Sequence, residues 1–161
     1  MTAPTTPTPT AAISVRQASL DDLDQLAPLF DSYRQFYRGK PDLAGARAFL
    51  QARLERGQSV LLLAFDCARA IGLAQLYPSF SSLSMGATFI LNDLFVSEAG
   101  RQRGAGAALI GAAVAHARTT GAIGLSLSTA RDNHTAQSLY RAMGWEQDHQ
   151  FIEFSLSLTT S

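Results

Sequence analysis

Apolar and polar residues alternate from Ile13 to Gln17, the two-residue period of a half-buried strand. The period then lengthens. Leu23, Leu26, Leu29 and Phe30 recur at helical spacing behind Ser19, a good N-cap residue, and Asp21 and Asp22 sit where carboxylates suit the positive end of a helix. Pro28 falls inside this pattern and predicts a kink or break. A second helix is expected from about Asp42 to Glu55, with Leu43, Ala46, Phe49, Leu50 and Leu54 inward and Gly57 as its stop.

Ser59 to Phe65 is an apolar strand. A short turn at Asp66 to Arg69 leads to a second strand, Ile71 to Tyr77, closed by Pro78, so the pair reads as an antiparallel hairpin. A serine-rich loop, Ser79 to Ser84, precedes Ala87 to Val96, which is apolar on both faces except at Asn92 and Asp93 and belongs in the middle of a sheet. An alanine-rich helix follows Gly104 and Gly106 and runs to about Thr120. Gly124 to Thr129 reads as a strand, Thr135 to Met143 as a helix ended by Gly144, and Phe151 to Leu158 alternates as a final strand. The order β-α-α-β-β-β-α-β-α-β describes an α/β fold with a mixed sheet.

The 161 residues fit one domain, expected over residues 13–158, behind a Thr-, Pro- and Ala-rich tail, residues 1–12, expected to be disordered. The tail lacks the basic start and apolar core of a secretory signal. Thirteen basic residues balance thirteen acidic ones, so no global field draws in nucleic acid or an anionic membrane. No apolar run approaches the roughly 20 residues of a membrane span. Cys67 is the single cysteine, which excludes an internal disulfide and agrees with a reducing, cytoplasmic setting. No cluster has metal-ligand spacing, and His116 and His134 read as bystanders.

The chemistry concentrates where the strand ending Leu94-Phe95-Val96 runs into Arg101-Gln102-Arg103-Gly104-Ala105-Gly106 and then a helix. Unbonded N–H groups at a helix start favour an anion, the glycines let backbone approach it closely, and the arginines add charge. The segment is neither a Walker P-loop nor the dinucleotide fingerprint, which argues against nucleoside triphosphates and NAD.

Arg101 to Gly106 matches the R/Q-x-x-G-x-G/A signature of the GNAT superfamily of N-acetyltransferases, and Asn133, Ala136, Leu139, Tyr140, Gly144 and Trp145 match that family's N-x-x-A-x-x-L-Y-x-x-x-G-F/W segment. The resemblance extends from about Ile13 to Leu158. Ile90 to Val96 looks most like the L-E-D-F-F-V of polyamine (diamine) acetyltransferases; Tyr33-Arg34-x-Phe36-Tyr37 and Gln75-Leu76-Tyr77-Pro78 are similar to histone- or polyamine-acetyltransferase relatives.

The resemblance implies a mostly antiparallel central sheet with helices on both faces, and transfer of an acetyl group from acetyl-CoA to a primary amine (a polyamine, amino acid or lysine side chain) by direct attack in a ternary complex. Leu94, Phe95 and Val96 would pair with the pantetheine arm, where their strand parts from the Leu125–Thr129 strand. The amides of Gln102, Arg103, Gly104, Ala105, Gly106 and Ala107 would hold the pyrophosphate beside Arg101. Asn133, with Ala136, would contact the cofactor, or else Asn133 is a helix-terminal polar group. Tyr140, about two helical turns beyond Asn133, would protonate the departing thiolate. The family's dimers make a homodimer possible.

An ammonium with a pKa near 10.4 is rarely neutral at pH 7, a cost of about 5 kcal/mol, so a proton acceptor is needed. Asp93 is the candidate. Polyamine-acetylating relatives carry Glu-Asp where this chain carries Asn92-Asp93, and strand alternation would let only one of the two enter the cleft. Tyr33, Tyr37 and Tyr77, with Phe36 and Trp145, would wall the acceptor site, or else pack in the core. The alternatives are a non-catalytic acyl-CoA-binding sensor and acetylation of a protein N-terminus or an antibiotic amine. Cys67, on a turn, is not expected to form an acyl intermediate.

Overall fold

The computed structural model describes residues 12–159, so residues 1–11 of the expected tail lie outside the described residues. Two compact units divide the chain after Ser128.

The first unit is built on a five-stranded sheet in the order β1-β2-β3-β4-β5. These strands are β1 (Ser14–Gln17), β2 (Val60–Asp66), β3 (Arg69–Ser81), β4 (Gly86–Val96) and β5 (Gly124–Ser126). The first four pair antiparallel and β5 joins β4 in parallel. The fold is therefore a mixed, mostly antiparallel α/β fold, as the element order implied. Three helices belong to this unit: α1 (Leu23–Phe36), α2 (Leu43–Glu55) and α3 (Ala105–Thr119).

Helical spacing buries Leu23, Leu26, Ala27, Leu29 and Phe30 of α1 against Leu61, Leu63, Phe65, Ala70 and Leu73 of the sheet. Asp42 caps α2, accepting the Gly45 N–H at 2.8 Å, and α2 adds Ala46 and Leu50 to the same core. Burying each such leucine contributes about 1.5–3 kcal/mol. Leu43 and Phe49, expected inward, are instead exposed: Leu43 opens the first turn of α2, and Phe49 lies over Phe30 with ring centroids 5.7 Å apart. On the opposite face α3 places Leu109 beside Val96, both next to Gly72.

The prolines expected to end elements do not. α1 runs through Pro28; the N–H that proline lacks would have met the carbonyl of Asp24, an exposed residue near the helix start where water substitutes. β3 runs through Pro78 to Ser81, because β2 begins at Val60 opposite Leu76 and beyond it β3 has a neighbour only on the β4 side. A strand with one open edge tolerates proline.

The second unit holds α4 (His134–Ala142), capped by Asn133, whose side chain accepts the Ala136 N–H at 3.2 Å, and followed by Gly144 at φ 86°. The strand expected at Phe151–Leu158 is absent. These residues form no ladder, and Phe151, Ile152, Phe154, Leu156 and Leu158 are each at least 75% exposed. Alternation gives a segment the face of a strand, but a strand also needs a hydrogen-bonded neighbour.

Candidate active site

β4 changes face part-way along. Phe89 packs on His116 of α3, at 5.5 Å between centroids, whereas Phe95 packs on Tyr33 of α1, at 6.4 Å. The two phenylalanines are an even number of residues apart, so a regular strand would point both to one side. The register explains the exchange: Leu76 opposes Leu91 and Gln75 opposes Asp93, leaving Asn92 without a partner. Asn92 is a β-bulge, and the extra residue re-aims every side chain after it.

The bulge delivers Asp93 to the α1 face, 4% exposed. Gln75 Nε2 donates to its Oδ2 at 2.6 Å and Asn92 Nδ2 to its Oδ1 at 3.0 Å. The Tyr33 hydroxyl faces Asp93; burial, then the Asp93 charge, raises the Tyr33 pKa far above the usual phenol range. Tyr77 is raised for the same two reasons in the same order. Alternation had allowed either Asn92 or Asp93 into the cleft; the bulge brings their side chains into contact. Gln75, fully buried, was not among the expected site residues. Its signal was a lone amide inside the apolar run Ile71–Leu76.

Aromatic rings adjoin this cluster. Tyr33 and Tyr37 lie 5.3 Å apart, Phe36 and Tyr37 5.1 Å, and Phe36 and Phe95 6.5 Å. A cleft of about 520 Å³ runs from Phe36 and Phe95 to Ser97, Glu98 and Arg101, with Arg69 on its wall.

At the end of β4 the chain enters α3 through Gln102 at φ 58° and Gly104 at φ 82°. No side chain caps α3, so the first-turn amides, at Ala105, Gly106 and Ala107, face outward as donors. A Cβ on Gly104 would meet nothing within 4 Å, so there is room in front of this turn. Of the two arginines, Arg103 is engaged by Asp66 at 2.7 Å, which holds the Asp66 carboxyl below its usual range, while Arg101 Nε reaches the Val96 carbonyl at 3.4 Å. β5 pairs with β4 only at Thr88–Ile90 and ends at Ser126, short of the expected Thr129. The β5-side edge of β4 from Leu91 to Val96 therefore has no strand beside it among the described residues.

A family model for the acetyltransferase (GNAT) family matches residues 26–145, covering α1 to Trp145. This protein belongs to that family. An uncharacterized N-acetyltransferase of Bacillus subtilis, YhfO, is 47% identical over 146 residues, spanning 91% of this chain and 98% of the relative. A probable acetyltransferase of Haemophilus influenzae is 31% identical, with 86% and 93% covered. The crystal structure of a probable acetyltransferase, 40% identical, superimposes with a TM-score of 0.85 over 91% of this chain and 99% of that one. The GNAT chain is thus an enzyme, an N-acetyltransferase in its reaction class.

Within it, Tyr33, Gln75, Tyr77, Asn92 and Asp93 come together in the first unit. Tyr37 and Phe36 lie one ring further along α1. Tyr140, Asn133, Ala136 and Trp145 lie in the second unit, where Tyr140 and Trp145 have ring centroids 6.1 Å apart. Asn133 spends its amide oxygen on the α4 cap. Among the described residues no helix is long and apolar enough to cross a membrane, and no three His, Cys, Asp or Glu residues gather into a metal-sized group.

Proposed function

We propose that this GNAT enzyme transfers an acetyl group from acetyl-CoA to a small primary amine, cationic in solution, with Asp93 accepting the proton the amine must lose. The observation that carries the reading is a buried carboxylate, presented by a bulge on the strand whose edge stands open, and held by the uncharged donors Gln75 and Asn92 beside Tyr33, with no cation paired to it among the described residues. Carboxylate charge together with the ring faces of Tyr33, Tyr37 and Tyr77 attracts a cation.

The chain's residues fit the cofactor. The uncapped amides of Ala105, Gly106 and Ala107, with Gln102, Arg103 and Gly104 before them, suit a pyrophosphate, and Arg101 adds charge at the cleft. The open edge at Leu94, Phe95 and Val96 suits the amide groups of a pantetheine arm, held as an added strand. When bound, acetyl-CoA supplies an activated thioester carbonyl. Asp93 would then take one proton from the ammonium, whose retention costs about 5 kcal/mol at neutral pH, and Tyr140 would pass the nitrogen's second proton to the departing sulfur. Asn133 and Ala136 serve the cofactor from the second unit. Diamines and polyamines are the first acceptors to test, followed by amino acids and lysine peptides; the expected setting is cytoplasmic.

Calorimetry with acetyl-CoA beside thiol release over an amine panel tests the proposal. Micromolar cofactor binding with turnover on at least one small amine is expected. Binding with no turnover on any amine would make the protein a sensor of acyl-CoA, and absence of binding would end the reading altogether.

A further inference from the structure

We infer that Gln75 is a positioning residue that holds Asp93 in both of its protonation states. The inference rests on Asp93 as the proton acceptor proposed above. Gln75 is completely buried, and its two amide ends fare differently: Nε2 donates to Asp93 at 2.6 Å, while Oε1, equally buried, has no partner. An unsatisfied buried acceptor destabilises the fold, so a core position that only needed filling would favour leucine or methionine. The amide is instead suited to a neighbour that changes from acceptor to donor.

A carboxylate only accepts hydrogen bonds; a neutral carboxyl also donates one. Asp93 takes one proton from the ammonium; the freed lone pair then enters the new C–N bond, the C–S pair leaves with sulfur, and the second proton lost by nitrogen ends on that sulfur. An Nε2–H aimed at the new O–H would then be donor against donor. A half-turn about the last torsion of Gln75, a soft two-fold rotation, exchanges Nε2 for Oε1 and restores the bond with no movement of the backbone. One hydrogen bond to Asp93 is kept in either state. Asn92, exposed on the bulge, can turn against water for the same purpose; Gln75 at the sealed end cannot.

The other groups facing Asp93 are Tyr33 from α1, with Tyr37 beside it, and Tyr77 from β3, which in turn feels Arg53 of α2. Burial and the Asp93 charge raise the pKa of both Tyr33 and Tyr77, so both face Asp93 as neutral phenols.

The test uses full-length protein labelled with 15N in its glutamine side chains, with the Gln75 resonance assigned by its loss in Gln75→Met. On titration the Gln75 amide signal is expected to move with the midpoint of the acid limb of kcat/KM, while that of surface Gln51 stays still. Gln75→Met is expected to lower kcat about 5-fold to 10-fold, to leave the acetyl-CoA KM within about twofold, and to move the acid limb to higher pH, because a carboxylate with one donor fewer takes a proton more readily. Gln75→Leu serves if the methionine variant does not fold. A Gln75 amide signal that stays fixed through the limb, with Asp93→Asn inactive, overturns the inference and leaves the proton acceptor in place. Full turnover by Asp93→Asn removes both.

Discussion

Two aspartates, one near the start of the chain and one in its middle, are withdrawn from water by opposite means. Asp22, at the corner between β1 and α1, is 9% exposed and meets Arg16 through two contacts of 2.7 and 2.8 Å, with the Ser19 N–H as a third donor at 2.8 Å. The Arg16 guanidinium, first among these, holds its carboxyl at a pKa of about 2. Asp93 is as buried, yet its donors are two side-chain amides with a phenol beside them, none of them charged. A carboxylate tied to an arginine is fixed as an anion and serves structure. One held only by neutral groups can gain and lose a proton without breaking an ion pair. The contrast separates the acid that closes a corner from the acid that can do chemistry.

Exchanging the two carboxylates for amides should break the contrast at its widest point. Asp93→Asn should reduce turnover by about 100-fold or more, the scale of a lost general base, with the acetyl-CoA dissociation constant held within about twofold in calorimetry. Asp22→Asn should do the reverse, lowering the unfolding free energy by about 2 kcal/mol in urea melts and leaving kcat alone. The sign of its pH dependence follows from a depressed carboxyl. The stabilisation is complete above the ordinary carboxylate value of 3.8 and drains away as pH falls toward about 2, so wild type and Asp22→Asn should converge in stability across that window. A constant gap down to pH 2 would mean that the Arg16 pair does not set this carboxyl.

Smaller effects sharpen the picture at the edges of the site. Gly104→Val places a branched side chain at φ 82°, which costs about 1–2 kcal/mol, and into the space before the α3 amides. Cofactor affinity should weaken about tenfold by calorimetry with kcat at saturation nearly kept. Tyr33→Phe removes one donor to Asp93 and leaves the ring stack with Phe30, at 6.0 Å, in place; a loss of a few-fold in kcat/KM, with little change in Tm, is the expected size for one neutral hydrogen bond.

Much of the fold was legible because each element carries its period openly. The helical stripe of α1, the span of α2 from about Asp42 to Glu55 and the glycine-opened start of α3 all appear at the residues where the pattern set them. The turn into α3 was legible where it is a string, as at Arg101 to Gly106. It was not legible where it depends on register. The Asn92 bulge is a mismatch between two strands, which one strand's sequence does not record, and so alternation wrongly divided Asn92 from Asp93. Gln75 was passed over because its role depends on standing opposite Asp93 across the sheet. Phe151–Leu158 erred the other way: a strand's side-chain pattern is present without the neighbour that would make it one.

The bulge also makes residue count, and not only residue identity, a determinant of activity. Excising Asn92 alone would leave every other side chain unchanged while returning β4 to regular pleating. Asp93 would then follow Leu91 directly, still opposite Gln75 and on the α1 face with Phe95, and would lose the Asn92 amide that donates to its Oδ1. A single-codon deletion at this point should therefore keep both faces of β4 and remove only one of the donors that hold Asp93, whereas straightening the strand at its present length would turn Asp93 away from Tyr33.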